Sequence, residues 1–119
     1  MRDVEAEALR QVESVIRRCG KIQPKFEPGT AQHTLLQNRV RAMQIAQSLL
    51  AEGHADAWTD AELLAALEPV TSVIRKCEKA RSKYEPGASH YTRFDGILQA
   101  MELVQEKIGG ELRKRRCAE

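Results

Sequence analysis

Six basic residues are spaced so that they could hold phosphate groups. Four-residue steps place the three members of each set on one face of an α-helix, opposite an apolar face. Two such stripes, named here the basic ridges, would bind the phosphates of nucleic acid or of another polyanion. The alternative is a solvated face whose cations complement the negative C-terminal end of the helix. The ridges consist of Arg17, Lys21, Lys25, Arg75, Lys79 and Lys83.

The overall composition weighs against a nucleic-acid-binding protein. Nineteen Lys and Arg residues are nearly balanced by 17 Asp and Glu residues, which leaves a net charge of +2. Aromatic residues make up 4% of the chain, so few side chains could stack on bases, and no nucleic-acid-binding motif occurs. Polyanion binding through the ridges is therefore the second of two functional hypotheses.

The three cysteines do not form a disulfide or zinc pattern, because their number is odd and no CxxC pair occurs. Cys19 and Cys77 fall on apolar helix stripes, where we expect shielded, reduced thiols that pack as small hydrophobic side chains. The alternative is a redox pair, which needs Cα atoms within about 7 Å. Cys117 follows the basic run 113–116, which would make its thiol reactive, unless it is an incidental cysteine in a frayed tail.

The spacing of the remaining residues does not indicate a catalytic site. No His, Cys or carboxylate pattern matches a metal site, and no nucleophile and base can be paired. His33 and His90 flank two similar turns but do not occupy equivalent positions in the repeat described below. The sequence therefore predicts a protein that is not an enzyme and that holds no cofactor or metal.

Three polar residues lie on or near apolar stripes. Arg39 falls between Leu36 and Met43; its stem would pack along neighbouring helices while its head reaches water. The alternative is a bond from Arg39 to a carboxylate or a contact with another chain. Gln47 and Gln105 are equivalent in the repeat, and we expect them to form hydrogen bonds between helices.

An internal repeat organises the elements that carry these residues. Residues 14–50 align with residues 72–108 at a constant offset of 58 without a gap, and 14 of the 37 positions are identical. An ungapped offset preserves helical phase, so a duplication is the simplest explanation. We predict a single domain over 1–119, with one repeat at about 1–52 and the other at about 59–116. We expect residues 14–50 to superpose on 72–108.

Each repeat is predicted to be a helical hairpin, with helices near 3–25, 30–52, 59–84 and 88–115. Pro28-Gly29 and Pro86-Gly87 separate the arms, and Thr30 or Ser89 would cap the next helix. The apolar stripe predicted for the first helix of each hairpin consists of Leu9, Val12, Ile16, Cys19 and Phe26, then Leu67, Val70, Ile74, Cys77 and Tyr84. The stripe predicted for the second helix of each hairpin, called the return helix, consists of Leu36, Val40, Met43 and Leu50, then Phe94, Leu98, Met101 and Ile108. Short loops make neighbouring helices antiparallel, which gives an all-α, up-down four-helix bundle of two tandem hairpins.

The segment between the hairpins carries the clearest helix-start signals. Thr59 and Glu62 match a capping box, and Trp58 and Leu63 match a hydrophobic staple across the same helix start. Gly53 suits a helix C-cap. Pro69 falls inside the third helix, where we expect a kink or a short leading helix that ends near residue 68.

One further pattern surrounds the first turn. It consists of Cys19, Lys21, Lys25, Pro28, Gly29, Gln32, His33, Thr34, Leu35, Leu36, Asn38 and Arg39. This pattern resembles one in a family of short bacterial helical-hairpin proteins of uncharacterised function. The resemblance implies a cytoplasmic bacterial protein and implies no activity.

The functional expectation is a non-enzymatic helical interaction or scaffold module in the cytoplasm. The N-terminal residues MRDVEAEALR do not form a signal peptide, and the longest apolar run, 63–67, is too short for a membrane span. We expect a protein partner, including a second copy of this chain, and no membrane association. Polyanion or nucleic-acid binding through the basic ridges is the alternative.

Overall fold

The computed structural model describes residues 2–51 and 57–117, and within these ranges the fold is all-α. The four helices are α1 (Arg2–Ile22), α2 (Ala31–Ala51), α3 (Asp60–Arg81) and α4 (Ser89–Cys117). A turn of 3-10 helix, Gln23–Lys25, continues α1. The expected helix bounds agree with the observed ones within three residues at each end. The prediction of four helices is confirmed, and the described ranges contain no strand.

The helices pack as an up-down bundle. α1 packs against α2 and α3 against α4, and the two hairpins meet mainly through α2 with α3 and α1 with α4. An ion pair of 2.7 Å between Lys107 Nζ and Glu5 Oε2 joins the C-terminal half of α4 to the beginning of α1, as antiparallel packing requires. α1 and α3 are thus diagonal to each other. The shortest dimension of the molecule, 21 Å, corresponds to two layers of helices.

The two hairpin turns have the same backbone geometry. Gly29 and Gly87 have φ angles of 92° and 97°, a region that glycine occupies without steric cost. The carbonyl of Glu27 accepts a bond from the Thr30 N–H at 3.2 Å, and that of Glu85 accepts one from the Ala88 N–H at 3.0 Å. The helices that follow begin at equivalent positions, Ala31 and Ser89. Both turns therefore direct the return helix alike.

The two return helices differ in their caps. The Thr30 hydroxyl accepts a hydrogen bond from the His33 N–H at 3.3 Å, which confirms it as a cap. The expected cap at Ser89 is wrong, because Ser89 is already the first residue of α4. The offset of 58 places Ala88 where Thr30 stands in the first hairpin, and alanine has no side-chain acceptor.

The start of α3 has the predicted capping box. The Thr59 hydroxyl accepts a bond from the Glu62 N–H at 3.1 Å, and the Glu62 carboxylate accepts one from the Thr59 N–H at 2.9 Å. Trp58 packs against the core, in which Leu63 is fully buried, consistent with the predicted staple. The C-cap predicted at residue 53 lies outside the described residues.

We expect Thr59→Ala to lower the free energy of unfolding by about 1 kcal/mol, because the hydroxyl that accepts the Glu62 N–H is lost. Urea denaturation at neutral pH measures this loss. Thr92→Ala, at an exposed position inside α4, serves as the control and should show no comparable loss. Equal stabilities of Thr59→Ala and the wild-type chain would contradict the assigned cap.

Of the two alternatives expected at Pro69, the short leading helix that ends near residue 68 is wrong, because α3 is one helix from Asp60 to Arg81. Proline removes the bond that the carbonyl of residue 65 would accept. Ala65 is exposed, so water can reach that side of the helix. Ala66 and Val70 are buried on the opposite side, and their packing holds the helix together across the proline.

The core uses a stripe slightly rotated from the one predicted for α1 and α3. Leu9, Ile16 and Leu67 are only half-buried, and Tyr84 is 39% exposed. The residues that fill the core are Ala8, Val12, Val15 and Cys19 in α1, and Leu63, Ala66, Val70, Val73, Ile74 and Cys77 in α3. The four of α1 are equivalent to Ala66, Val70, Val73 and Cys77 of α3, and both sets are spaced by four, three and four residues.

The return helices bury most of the residues predicted for them. Met43, Met101 and Ile108 are fully buried, and Leu36 and Leu98 nearly so. Phe94, Val40 and Leu50 are half-buried against this core. Ala42 and Ala100, an identical pair in the repeat, are also buried. Pairs of equivalent residues thus supply much of the core from both hairpins.

The C-terminal helix extends two residues beyond its predicted end at residue 115. The frayed tail predicted around Cys117 is therefore wrong for the residues up to and including Cys117. α4 ends at Cys117, and Cys117 is exposed. Arg115 donates to Glu111 at 2.9 Å within α4 and to Asp60 at 2.7 Å in α3. The bond to Asp60 joins the last turns of α4 to the start of α3, and the bond to Glu111 orients the arginine within α4.

Candidate anion-binding site

A cavity of about 180 Å³ lies between the two hairpins, near their turns. It is bounded by the last turns of α1 and α3 and by the first turns of α2 and α4. We name it the turn-end cavity. Its lining residues are Val15, Arg18, Cys19, Ile22, Leu36, Arg39, Val73, Lys76, Cys77, Phe94 and Ile97.

The lining is drawn almost evenly from the two repeats. Ten of the eleven residues form five pairs at the offset of 58, and Ile22 is the remaining one. Four pairs keep their chemical character: two valines, two cations, two cysteines, and a leucine with a phenylalanine. The fifth pair is Arg39 with Ile97, so the first hairpin has a cation where the second hairpin has an apolar side chain. Arg39 is therefore the element that makes this site chemically asymmetric.

The charged groups around the turn-end cavity are all positive. Arg18, Arg39 and Lys76 line it, and no lining residue is a carboxylate. None of the three forms an ion pair within residues 2–51 and 57–117. Burial and the neighbouring guanidinium of Arg93 lower the pKa of Arg18, although the Cys77 thiol opposes this shift. The cavity thus concentrates positive charge that the described chain does not neutralise.

Arg39 contributes a buried donor group to this cluster. Its side chain is half-buried, and Nη2 lies 3.5 Å from the Ser72 hydroxyl, at the outer limit of a hydrogen bond. Its Nε–H group is buried and has no acceptor among the described residues. The bond to a carboxylate considered above is thus not formed within the described chain. A side-chain hydrogen bond also links Arg39 to the Cys19 thiol, so the partners of this guanidinium within the described chain are neutral groups rather than a carboxylate.

The two thiols that line the cavity are protonated at neutral pH. Burial raises the pKa of Cys19, and the charge of Arg39, its hydrogen bond with the thiol and the charge of Lys76 only partly offset this effect. Burial likewise raises the pKa of Cys77 against the opposing influence of Arg18 and Arg39. Both cysteines are free and buried, which confirms the expected shielded, reduced thiols. No thiolate is therefore present at neutral pH to neutralise Arg39.

We expect a polar thiol reagent to modify Cys117 well before Cys19 and Cys77, because only Cys117 is exposed. Mass spectrometry of peptides from a labelling time course measures the order. Reaction in denaturant, where all three thiols are accessible, is the control for intrinsic reactivity. Equal rates for all three in the native protein would show that the two core thiols are not shielded.

The six residues of the basic ridges are exposed, and they form no ion pair within the described chain. Arg17 and Lys21 lie on the side of α1 opposite its buried stripe, as Arg75 and Lys79 do on α3. Because α1 and α3 are diagonal, these two faces point away from each other. The ridges are therefore two separate surfaces rather than one paired patch.

The other polar residues singled out in the sequence have structural partners. Gln47 Nε2 donates to Glu13 of α1 at 3.3 Å, and Gln105 Nε2 donates to Thr71 of α3 at 3.2 Å. Glu13 and Thr71 are themselves equivalent, so the expected interhelical bonds are confirmed at matching places. His33 lies 3.4 Å from Gln23 through their Nε2 atoms. The ring of His90 stacks on that of Tyr84 with centroids 4.9 Å apart.

Within residues 2–51 and 57–117, no three His, Cys, Asp or Glu side chains are grouped to hold a metal ion. Among the helices described, none combines the length and the apolar character needed to cross a bilayer. Comparison of the chain with protein families, with curated proteins and with solved structures finds no significant match in any of the three. The site must therefore be interpreted from its own chemistry.

Several residues of the turn-end cavity were recognised from the sequence, but not that they lie together in one site. Arg39 stood out as a charge inside an apolar stripe, and the cysteine pair stood out by its equivalence. Arg18 and Lys76 each follow a ridge arginine directly in the sequence and were not assigned to any site. Both residues directly precede a core cysteine, Cys19 or Cys77. Because a residue next to a core position lies at the edge of the buried face of its helix, this spacing could have placed both cations beside the core.

Proposed function

We propose that this chain is a non-enzymatic binding module whose ligand or partner places an anionic group in the turn-end cavity. One observation supports the proposal most strongly: the Arg39 guanidinium lines the cavity beside two further cations, and none of the three has a carboxylate partner among the described residues. An anionic oxygen accepting from that guanidinium would form a charge-assisted hydrogen bond.

The surroundings favour binding over catalysis. The cavity offers cations and neutral thiols, and no lining residue is a carboxylate or histidine that could serve as a general base. The apolar walls lower the local dielectric, which strengthens an ion pair formed there. The site thus supplies recognition of charge and shape without a group that moves a proton.

The proposed setting is the cytoplasm, and the proposed history is a duplication. Free, buried thiols at Cys19 and Cys77 suit a reducing compartment. Duplication of one hairpin would account for the five equivalent pairs around the cavity.

Titration of the ¹⁵N-labelled chain with hexanoate, benzenesulfonate and inorganic phosphate tests the proposed function. We expect at least one of these anions to change the amide shifts of the residues that line the turn-end cavity. Arg39→Met should remove the response, whereas Arg41→Met should retain it, because Arg41 is exposed and paired with Glu62 at 2.8 Å. If none of the three anions produces a response that depends on Arg39, the proposal is wrong.

Polyanion binding through the basic ridges remains the second candidate, supported by their six exposed cations without ion pairs in the described chain. The opposed orientation of the ridges and the low net charge favour a solvated role instead. We therefore expect no micromolar binding of duplex or single-stranded DNA near physiological salt. Micromolar binding that is abolished in the quadruple variant Lys21→Gln, Lys25→Gln, Lys79→Gln, Lys83→Gln would promote this candidate to first place. In that case the salt dependence of duplex binding should also fall, by about 0.9 for each phosphate that the variant no longer neutralises.

A further inference from the structure

We infer that the turn-end cavity binds a small monocarboxylic acid with a compact apolar body, such as a short-chain aliphatic or simple aromatic acid. The carboxylate would accept from the guanidinium of Arg39, and the apolar body would lie among the side chains of both hairpins. This inference rests on the proposed function and names the class of ligand for the same site.

The size of the cavity limits the ligand to a small body. Its volume is about 180 Å³. An engineered apolar cavity of about 150 Å³ in another protein binds one benzene ring, so the turn-end cavity has room for a body of similar size. Drug-sized ligands occupy pockets of about 300–1,000 Å³. A single ring or a chain of a few carbons matches the available space.

The lining provides an apolar wall with one buried donor group. Eight of the eleven lining residues are apolar or thiol side chains, which favour a hydrocarbon body over a polar one. Val15, Val73 and Ile97 are buried and form part of the floor. Lys76 is exposed and Arg18 only half-buried, so their charges raise the positive potential without filling the interior.

The geometry of arginine favours a carboxylate over a phosphate. The Nε–H and Nη2–H groups of one guanidinium form a planar fork, which matches the two oxygens of a carboxylate. Neither of these two nitrogens of Arg39 has a carboxylate partner among the described residues: Nε has no acceptor within hydrogen-bond distance, and Nη2 has the long contact to Ser72. The further oxygens of a tetrahedral phosphate would need Arg18 and Lys76, of which Lys76 is exposed and Arg18 is half-buried, or would face apolar walls, where such groups are costly to bury.

Calorimetric titration with hexanoate and benzoate tests the ligand class, with hexanol and benzyl alcohol as matched neutral compounds. We expect both acids to bind, and the alcohols to bind at least about tenfold more weakly. Arg39→Met should weaken binding of the acids by about tenfold to a hundredfold, the loss of one charged hydrogen-bonded pair. Arg39→Lys keeps the charge but lacks the fork, so we expect intermediate affinity. Arg41→Met should bind as the wild-type chain does.

The possible outcomes separate this inference from the proposed function. Binding of phosphate or benzenesulfonate that depends on Arg39, with no binding of hexanoate or benzoate, would overturn the ligand class and leave the binding module standing. No Arg39-dependent binding of any anion would overturn both. Tighter binding of a peptide ending in a free C-terminal leucine than of hexanoate would also overturn the assignment to a small acid, in favour of a chain terminus.

Discussion

The Met43→Ala variant is expected to unfold with a free energy about 2–5 kcal/mol lower than that of the wild-type chain. Met43 is fully buried in α2, so truncation removes its apolar packing and leaves a cavity that neighbouring helices fill only in part. Met101, its equivalent in α4, is also fully buried and should give a loss in the same range. Urea denaturation followed by circular dichroism measures both losses.

Leu64→Ala is the matched control for these two core variants. Leu64 is 57% exposed on α3, so its truncation removes little buried surface, and we expect stability close to that of the wild-type chain. A loss below about 1 kcal/mol in either methionine variant would mean that its side chain is not part of the packed core. A large loss in the control would show that the exposed face of α3 is covered in solution.

The Arg39→Met variant is expected to gain about 1–3 kcal/mol of stability while it loses anion binding. The buried Nε–H of Arg39 has no acceptor among the described residues, so its removal relieves the cost of an unsatisfied donor. Methionine keeps an unbranched apolar stem in the same space, and the equivalent position already holds an isoleucine. Thermal and urea unfolding without added ligand measure the gain.

Opposite changes in stability and binding would identify Arg39 as a functional residue rather than a structural one. A residue kept for packing or for an internal ion pair loses stability when it is replaced, whereas a residue kept for a ligand can gain it. Arg41→Met, on the same helix but exposed, should leave both properties close to those of the wild-type chain. Destabilisation of Arg39→Met would mean that the guanidinium has a partner inside the folded chain.

Local rules in the sequence were sufficient for the architecture. Positive-φ glycines after Pro28 and Pro86, the Thr59 capping box and the recurring apolar residues each determine structure within a few residues, so the helix bounds could be predicted closely. Two of the expectations that proved wrong concern helix packing. α3 continues past Pro69 with Ala66 and Val70 buried, and α1 and α3 bury the small residues Ala8 and Ala66 where hydrophobicity favours Leu9 and Leu67.

The candidate site could not be predicted in the same way, because it is created by the contact between hairpins. Arg18 and Arg39 are 21 positions apart on different helices, and Lys76 lies on a third. Only the arrangement of the bundle brings these three cations to one cavity. By contrast, the basic ridges were visible as a local pattern, but their opposed orientation depends on the diagonal placement of α1 and α3.

The Nε–H resonance of Arg39 reports most directly on whether an anion occupies the turn-end cavity. In a chain labelled with ¹⁵N-arginine, this resonance is assigned by its absence from the spectrum of Arg39→Met. The account predicts a saturable downfield shift of the Arg39 Nε–H on addition of hexanoate, while the corresponding resonance of Arg41 stays in place. An Arg39 resonance that does not respond to hexanoate, benzenesulfonate or phosphate, or that moves no more than that of Arg41, would contradict the central claim.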